Sequence, residues 1–224
     1  NLRPTSDLED VQARLDQTTA ACDLSTKKGY PHFYEAQDVS FSLERADMGG
    51  ALNPKELLRI AGVLRCARTV KGYTAEDEAA TVLDGMFMSL SANKYLEDKI
   101  FGAILSEEEI ADNASPALAD IRRHKKVQSA KIRDSLQKII SSPAYAKSLR
   151  EPIITIRDGR YVVPVKSECK NEVPGLVHDV SSSGGTYFVE PMSAVNANNA
   201  LRELELKEKK EIERILAELS ADAA

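Results

Sequence analysis

The sequence predicts a mainly α-helical chain with a small antiparallel β insert, and three observations carry that reading. Two long segments, 115–150 and 192–224, repeat apolar residues at helical spacing with charged residues nearly everywhere else. Between them, residues 151–191 hold four short β-type runs separated by turn residues. Ahead of both, residues 1–114 read as short helices with clear punctuation. Composition agrees: apolar residues reach 42% while aromatics are 5% and Trp is absent, the profile of long helices with wet faces rather than of a compact sandwich.

In the first part, Pro4-Thr5-Ser6-Asp7 opens a helix with Leu8, Val11 and Leu15 at helical spacing, and Lys27-Lys28-Gly29-Tyr30-Pro31 ends it. Met48-Gly49-Gly50 is a second break. Asn53, Pro54 and Glu56 then supply an N-cap, a first helical position and the far half of a capping box. That helix is expected to reach about Lys71, with Gly72 in the left-handed terminal conformation. Thr74 is expected to cap a helix carrying Val82, Leu83, Met86, Phe87 and Leu90, and a short helix follows around 94–102. Ile104–Asp112 admits either a short helix capped by Ser106 or a small hairpin flanked by Ile104-Leu105 and Ile110. The hairpin is favoured.

From Ser115-Pro116 the character changes. Nothing breaks the helix until Ser141-Ser142-Pro143, and helical pattern resumes toward Leu149. Its stripe of Leu118, Ile121, Ile132, Leu136 and Ile139 turns polar at Lys125 and Gln128, so it is expected to pack along one partner only. In the insert, Ile153–Ile156 is a strand, Arg157-Asp158-Gly159-Arg160 a tight turn and Tyr161–Val165 the return. Pro164 lacks a donor, which puts that strand at an edge or at its end. Leu176–Val180 and Thr186–Val189 complete a four-stranded sheet, joined by Ser181-Ser182-Ser183-Gly184-Gly185. The last helix follows Pro191, with Leu201, Leu204, Ile212, Ile215, Leu216 and Leu219 as its seam, to about Ser220. Two helices of about 30 residues are each roughly 45 Å long. A compact insert has its entry and exit close together, so they are expected to run antiparallel.

The net charge of −5 argues against bulk attraction of nucleic acid and requires any such contact to come from a local basic stretch. Cys22, Cys66 and Cys169 are odd in number and far apart, without CxxC or Cys/His spacing, so neither zinc nor a disulfide framework is expected and a reducing cytoplasm fits. There is no signal peptide and no apolar run long enough to span a membrane, so no membrane partner is expected. The chain opens on Asn1, in mid-pattern and without Met, and reads as a piece of something longer.

Several segments resemble the bacterial MutS type-two subfamily. They are Glu151-Pro152-Ile153-Ile154-Thr155-Ile156-Arg157-Asp158-Gly159-Arg160-Tyr161-Val162-Val163-Pro164-Val165-Lys166, the run from Val173-Pro174-Gly175 through His178-Asp179 to Glu190-Pro191, and Asn198-Asn199-Ala200-Leu201-Arg202-Glu203-Leu204-Glu205. Weaker echoes lie at Arg45–Gly50, Leu52–Leu58 and Ala114–Leu118. Where the family usually has Ala, this chain has Gly185. The resemblance implies a helical core domain (1–114), an outgoing lever helix (115–150), a β clamp tip (151–191) and a returning lever helix (192–224). It implies that the intact protein is a dimeric DNA-binding ATPase with nuclease activity, and that some members act on stalled or collided ribosomes. No GxxxxGK[ST] phosphate loop occurs in this chain. ATP and Mg are therefore assigned by resemblance to a missing ATPase domain, and no catalytic residue, cofactor or metal is expected here.

Candidate contacts to a nucleic-acid backbone are Arg157, Arg160, Lys166 and Lys170 in the insert, with Arg160 and Lys166 preferred, and Arg122, Arg123 and Lys126 on the first long helix. The basic run there also includes Lys125, Lys131, Arg133 and Lys138. Its plainer reading is a solvated face neutralised in part by Glu203, Glu205, Glu208, Glu211 and Glu213; the other is salt-sensitive phosphate attraction. The Ser-Gly loop reads as a plain turn rather than an anion nest, His178-Asp179 as structural, and Asn196, Asn198 and Asn199 as caps or bonds to the sheet. The expected function is a non-catalytic lever and clamp. It helps a homodimer grip branched or duplex DNA, or rRNA on collided ribosomes, in recombination control, DNA repair or ribosome rescue. The rival is a coiled-coil arm that docks protein without touching nucleic acid. An unrecognised enzyme is disfavoured, because no acid, base or metal constellation appears.

Overall fold

The computed structural model describes residues 4–74 and 80–224. The cap expected from Thr74 and the residues just after it lie outside the described residues. The chain is mainly α-helical with one four-stranded antiparallel sheet inserted between its two longest helices. It divides into two compact units, one of residues 1–114 with 215–224 and one of 115–214.

The first unit holds α1 (Leu8–Lys28), α2 (Ser40–Asp47), α3 (Pro54–Lys71), α4 (Asp84–Ser89) and α5 (Lys94–Ala103). Asp7 caps α1 by accepting from the Glu9 amide at 2.9 Å, and Gly29 ends it at φ +79°. The helical spacing at its start does not bury anything: Leu8 and Leu15 stand exposed, and Leu24 is the residue that packs. The capping box of α3 forms with both bonds, Glu56 N–H to Asn53 Oδ1 at 3.0 Å and Asn53 N–H to Glu56 Oε2 at 2.9 Å. Gly72 departs from expectation. Its φ of −79° is right-handed, and the chain tightens into a 3₁₀ turn over Gly72–Thr74 instead of stopping. α3 and α5 pack side by side around Leu57, Ile60 and Ile100, and Arg68 grips the nearly buried Glu97 with two bonds of 2.8 Å. Ile104 and Ile110 form an antiparallel bridge, the small hairpin that was favoured.

The second unit holds α6 (Pro116–Ile140), the sheet, and most of α7 (Met192–Ala223), whose residues from Ile215 onward belong to the first unit. Ser115 meets Glu211 at 2.6 Å, Arg122 meets Glu208 at 2.7 Å and Ser135 meets Ser193 at 3.1 Å. Numbers rise along α6 as they fall along α7, so the two helices are antiparallel. Helical structure does not resume after Ser141-Ser142-Pro143. Pro143 cannot continue the ladder, and the chain turns until Leu149 bridges Val165.

The strands are β1 (Thr155–Arg157), β2 (Arg160–Lys166), β3 (Gly175–Val180) and β4 (Thr186–Pro191), in the order β1-β2-β4-β3. Asp158 (φ 49°) and Gly159 (φ 74°) make the two-residue hairpin turn with both central residues left-handed. Pro164 corrects the sequence reading: β2 is interior, and Pro164 sits opposite Phe188 of β4. A strand residue points its N and its carbonyl to the same side. The Pro164 carbonyl accepts from the Arg150 amide at 2.9 Å, so its missing N–H faces away from β4 and no β2–β4 bond is lost. The face of Val163, Val165 and Val189 packs against Ile132 and Leu136 of α6 and Ala194 and Leu201 of α7. Leu176, Val177 and Val180 leave β3 as an exposed edge.

Candidate nucleic-acid interface

The polar gap in the α6 stripe is the origin of the site. Lys125 falls where an apolar seam would run, and it turns with Arg122 to a single half-buried carboxylate, Glu208 on α7, with Arg122 Nε at 2.7 Å from its Oε1. Burial alone would push the Glu208 carboxyl up, but hydrogen bonds from Lys125 and Arg122 outweigh it and hold the group below the usual carboxylate range. Over the next two turns, Lys126, Ser129, Ala130, Arg133 and Asp134 follow on the same helical surface. With Arg122, Lys125 and Tyr161 of β2 they line an open cleft of about 580 Å³. Four cations and one carboxylate in that lining give a positive field in a chain of negative net charge.

Tyr161 stands between the core and this cleft. Part of it packs on the apolar cluster, and the Arg133 guanidinium lies 5.9 Å from its ring centre. Its backbone is held by the side chain of Asn198: the Tyr161 N–H donates to Oδ1 and Nδ2 donates to the Tyr161 carbonyl, both at 3.2 Å. Asn198 thereby takes the place of a strand partner at the end of β2, the bond to the sheet expected of the asparagines here. Its Nδ2 also donates to Glu190 at 2.7 Å.

Of the seven residues singled out from sequence, the structure brings Arg122 and Lys126 together in the cleft. Arg123 lies outside that lining, exposed and paired with Asp120 at 2.5 Å. The four in the insert have internal partners. Arg157 lies over the Phe188 ring at 4.1 Å and meets Asp179 at 3.2 Å; Lys170 lies over Tyr187 at 5.0 Å; Lys166 donates to the Lys147 carbonyl at 2.7 Å. Arg160, a preferred contact, is the most enclosed. It donates to both oxygens of the fully buried Glu190 at 2.9 and 3.0 Å and to Asn199 at 2.8 Å. His178 Nε2 reaches the same carboxylate at 2.5 Å. His178 and Asp179, read from sequence as structural, meet Glu190 and Arg157 respectively. The Ser-Gly loop bonds within itself, Gly184 N–H to the Ser181 carbonyl and Thr186 N–H to Ser181 Oγ. Sequence reasoning missed Glu190 and the cleft face of Tyr161. The basic run of α6 and Lys125 in an apolar seam are the signals for the cleft.

The start of α6 is tied to α7 by a second carboxylate. Ser115 Oγ accepts from the Leu118 amide at 3.0 Å and donates to Glu211 at 2.6 Å, and Arg214 adds bonds of 2.8 and 3.0 Å. Arg214 first, and then Ser115, pull the Glu211 carboxyl down to about 2. A depressed carboxyl stabilises the fold above its ordinary value near 4.5 and ceases to do so as pH falls toward 2. Urea midpoints taken from pH 6 down to pH 2 are therefore expected to fall more steeply for the parent than for Glu211→Gln. Parallel curves would refute this account of Glu211.

Among the described residues no group of His, Cys, Asp and Glu is arranged to hold a metal, and no helix is long and apolar enough to cross a membrane. No family model matches the chain. Over its whole length it is 50% identical to a protein named Endonuclease MutS2 from Ruminiclostridium cellulolyticum, across 226 aligned residues. It is 45% identical to the protein of that name from Acetivibrio thermocellus over 99% of the chain, and 47% identical to that from Clostridium acetobutylicum over 98%. The chain spans 28% of the length of each of these relatives.

Proposed function

We propose, from the premise that this is a MutS2-type chain, that it is a non-catalytic gripping region whose α6–β2 cleft holds the phosphate backbone of nucleic acid. The observation that carries the reading is the gathering of Arg122, Lys125, Lys126 and Arg133 around one open cleft while the rest of the chain is acidic. Phosphate contacts of this kind position a nucleic acid without reading its sequence, which suits a region that holds while another part cuts. In this reading the longer protein is a homodimeric DNA-handling ATPase and endonuclease of repair and recombination, and ATP and Mg belong to its remaining length. The helices α6 and α7 serve as lever and the sheet as clamp.

Binding of the 224-residue chain to duplex and branched DNA, followed by anisotropy across a salt series, tests the reading. Log affinity is expected to fall linearly with log salt, and Lys126→Gln with Arg133→Gln is expected to flatten the slope by about 1.8, two phosphate contacts at about 0.9 each. An unchanged slope removes the cleft from the interface. Absence of DNA binding at low salt, with ribosomes captured instead, would replace DNA by rRNA as the ligand. Binding to neither favours an arm that docks protein.

A further inference from the structure

Phosphate attraction accounts for the cations of the cleft but not for Tyr161. Its ring is the one aromatic in a lining otherwise made of α6 side chains. Its backbone is fixed on one side by pairing with Ile156 of β1 and on the other by the Asn198 amide. A ring held this firmly is a preorganised surface. Over it, Arg133 holds a planar guanidinium 5.9 Å from the ring centre, and Lys126 and Arg122 lie two and three turns back along α6. The volume of about 580 Å³ falls in the range of clefts that enclose small ligands.

We infer that the cleft takes an unpaired nucleotide, its base stacked on Tyr161 in the place Arg133 holds in the free chain and its flanking phosphates held by Arg122, Lys125 and Lys126, so that its ligand class is single-stranded nucleic acid. This rests on the phosphate-binding reading above and narrows it. Bases inside a duplex are stacked on one another and present only their edges in the grooves, so a ring face has nothing to receive from them. A base in a single strand has both faces to offer, and stacking on an aromatic is tolerant of sequence because every base has a π-face. The Arg133 guanidinium covers the ring while no base is present, and once displaced it adds a fourth cation for the phosphates. Glu208 remains the counter-charge of Arg122 and Lys125 when no phosphate is present.

The test compares a labelled oligothymidylate with a labelled duplex of equal length, at one salt concentration, on the 224-residue chain. Tyr161→Leu is expected to weaken the single strand about tenfold and to leave the duplex unchanged, while Tyr161→Phe keeps parent affinity for both. Lys126→Gln is expected to weaken both ligands. Equal loss of both ligands in Tyr161→Leu, or no loss of either, overturns the stacking inference while the Lys126→Gln result stands for the phosphate reading by itself. No effect of Lys126→Gln on either ligand overturns both. Because Tyr161 also touches the core, photocrosslinking of the parent chain to a strand carrying 5-iodouracil serves as a second measurement free of any folding defect. The crosslink is expected on the peptide containing Tyr161, and a crosslink confined to other peptides overturns the inference.

Discussion

Glu190→Ala is expected to lower the stability of the chain by about 3 kcal/mol. Glu190 is fully buried on β4, and its two oxygens take donors from three other elements: Arg160 of β2, His178 of β3 and Asn198 of α7. Removal leaves a charged guanidinium and an imidazole facing a void. The cost falls at the lower end of the range for a broken buried pair, because the Arg160 and His178 side chains keep 27% and 21% of their surface in contact with water and can be partly rehydrated. Glu190→Gln keeps the shape and one acceptor, and is expected to lose about half as much. Urea unfolding followed by circular dichroism measures both. A midpoint for Glu190→Ala equal to that of the parent would show that the cluster contributes nothing net. Arg160→Ala leaves the fully buried Glu190 carboxylate without its two-bond partner and is expected to cost about as much as Glu190→Ala, so any loss of nucleic-acid binding in that variant has to be read beside its stability.

Gly175→Ala is expected to cost about 3 kcal/mol, the upper end of what overpacking does to a well-packed site. Gly175 opens β3 opposite Pro191, and a Cβ there would stand 2.2 Å from the Glu190 carbonyl oxygen, 2.7 Å from Val189 Cγ1 and 2.9 Å from the Glu190 carbonyl carbon. Two of the three are backbone atoms, so β3 and β4 must part, and the strand that carries Glu190 moves with them. Gly185→Ala is the control. A Cβ at Gly185 meets only Ser183 Oγ at 3.6 Å, ordinary contact, and the change is expected to stay within about 0.5 kcal/mol of the parent. It also restores the residue usual in the family that the sequence resembles. Equal stability of the two alanine variants would mean that β3 has freedom the backbone geometry denies it.

Much of the architecture was legible because it is written locally. The Asn53–Glu56 box, the Asp158-Gly159 turn and the Ser115 cap each involve residues within a few positions of one another, and each formed as read. Gly72 failed because a glycine permits a left-handed conformation without requiring one, and here the helix tightens into a 3₁₀ turn. Pro164 failed for a different reason. The rule that confines proline to edges concerns which side its nitrogen faces, and that side is set by Arg150, a residue outside the strand.

The candidate site divides in the same way. The sequence alone determined where the cations lie on α6, that α6 and α7 run antiparallel, and that a small sheet separates them, because helical spacing and turn chemistry act over a few residues and chain connectivity does the rest. Only the tertiary structure decided which cations face a cleft and which are held inside. Arg160 and Lys126 look alike as sequence. One is drawn to a carboxylate 30 positions away and the other lines the open groove. Charge is a property of a residue, but the surface it faces depends on how folding places it, and no local pattern encodes that placement.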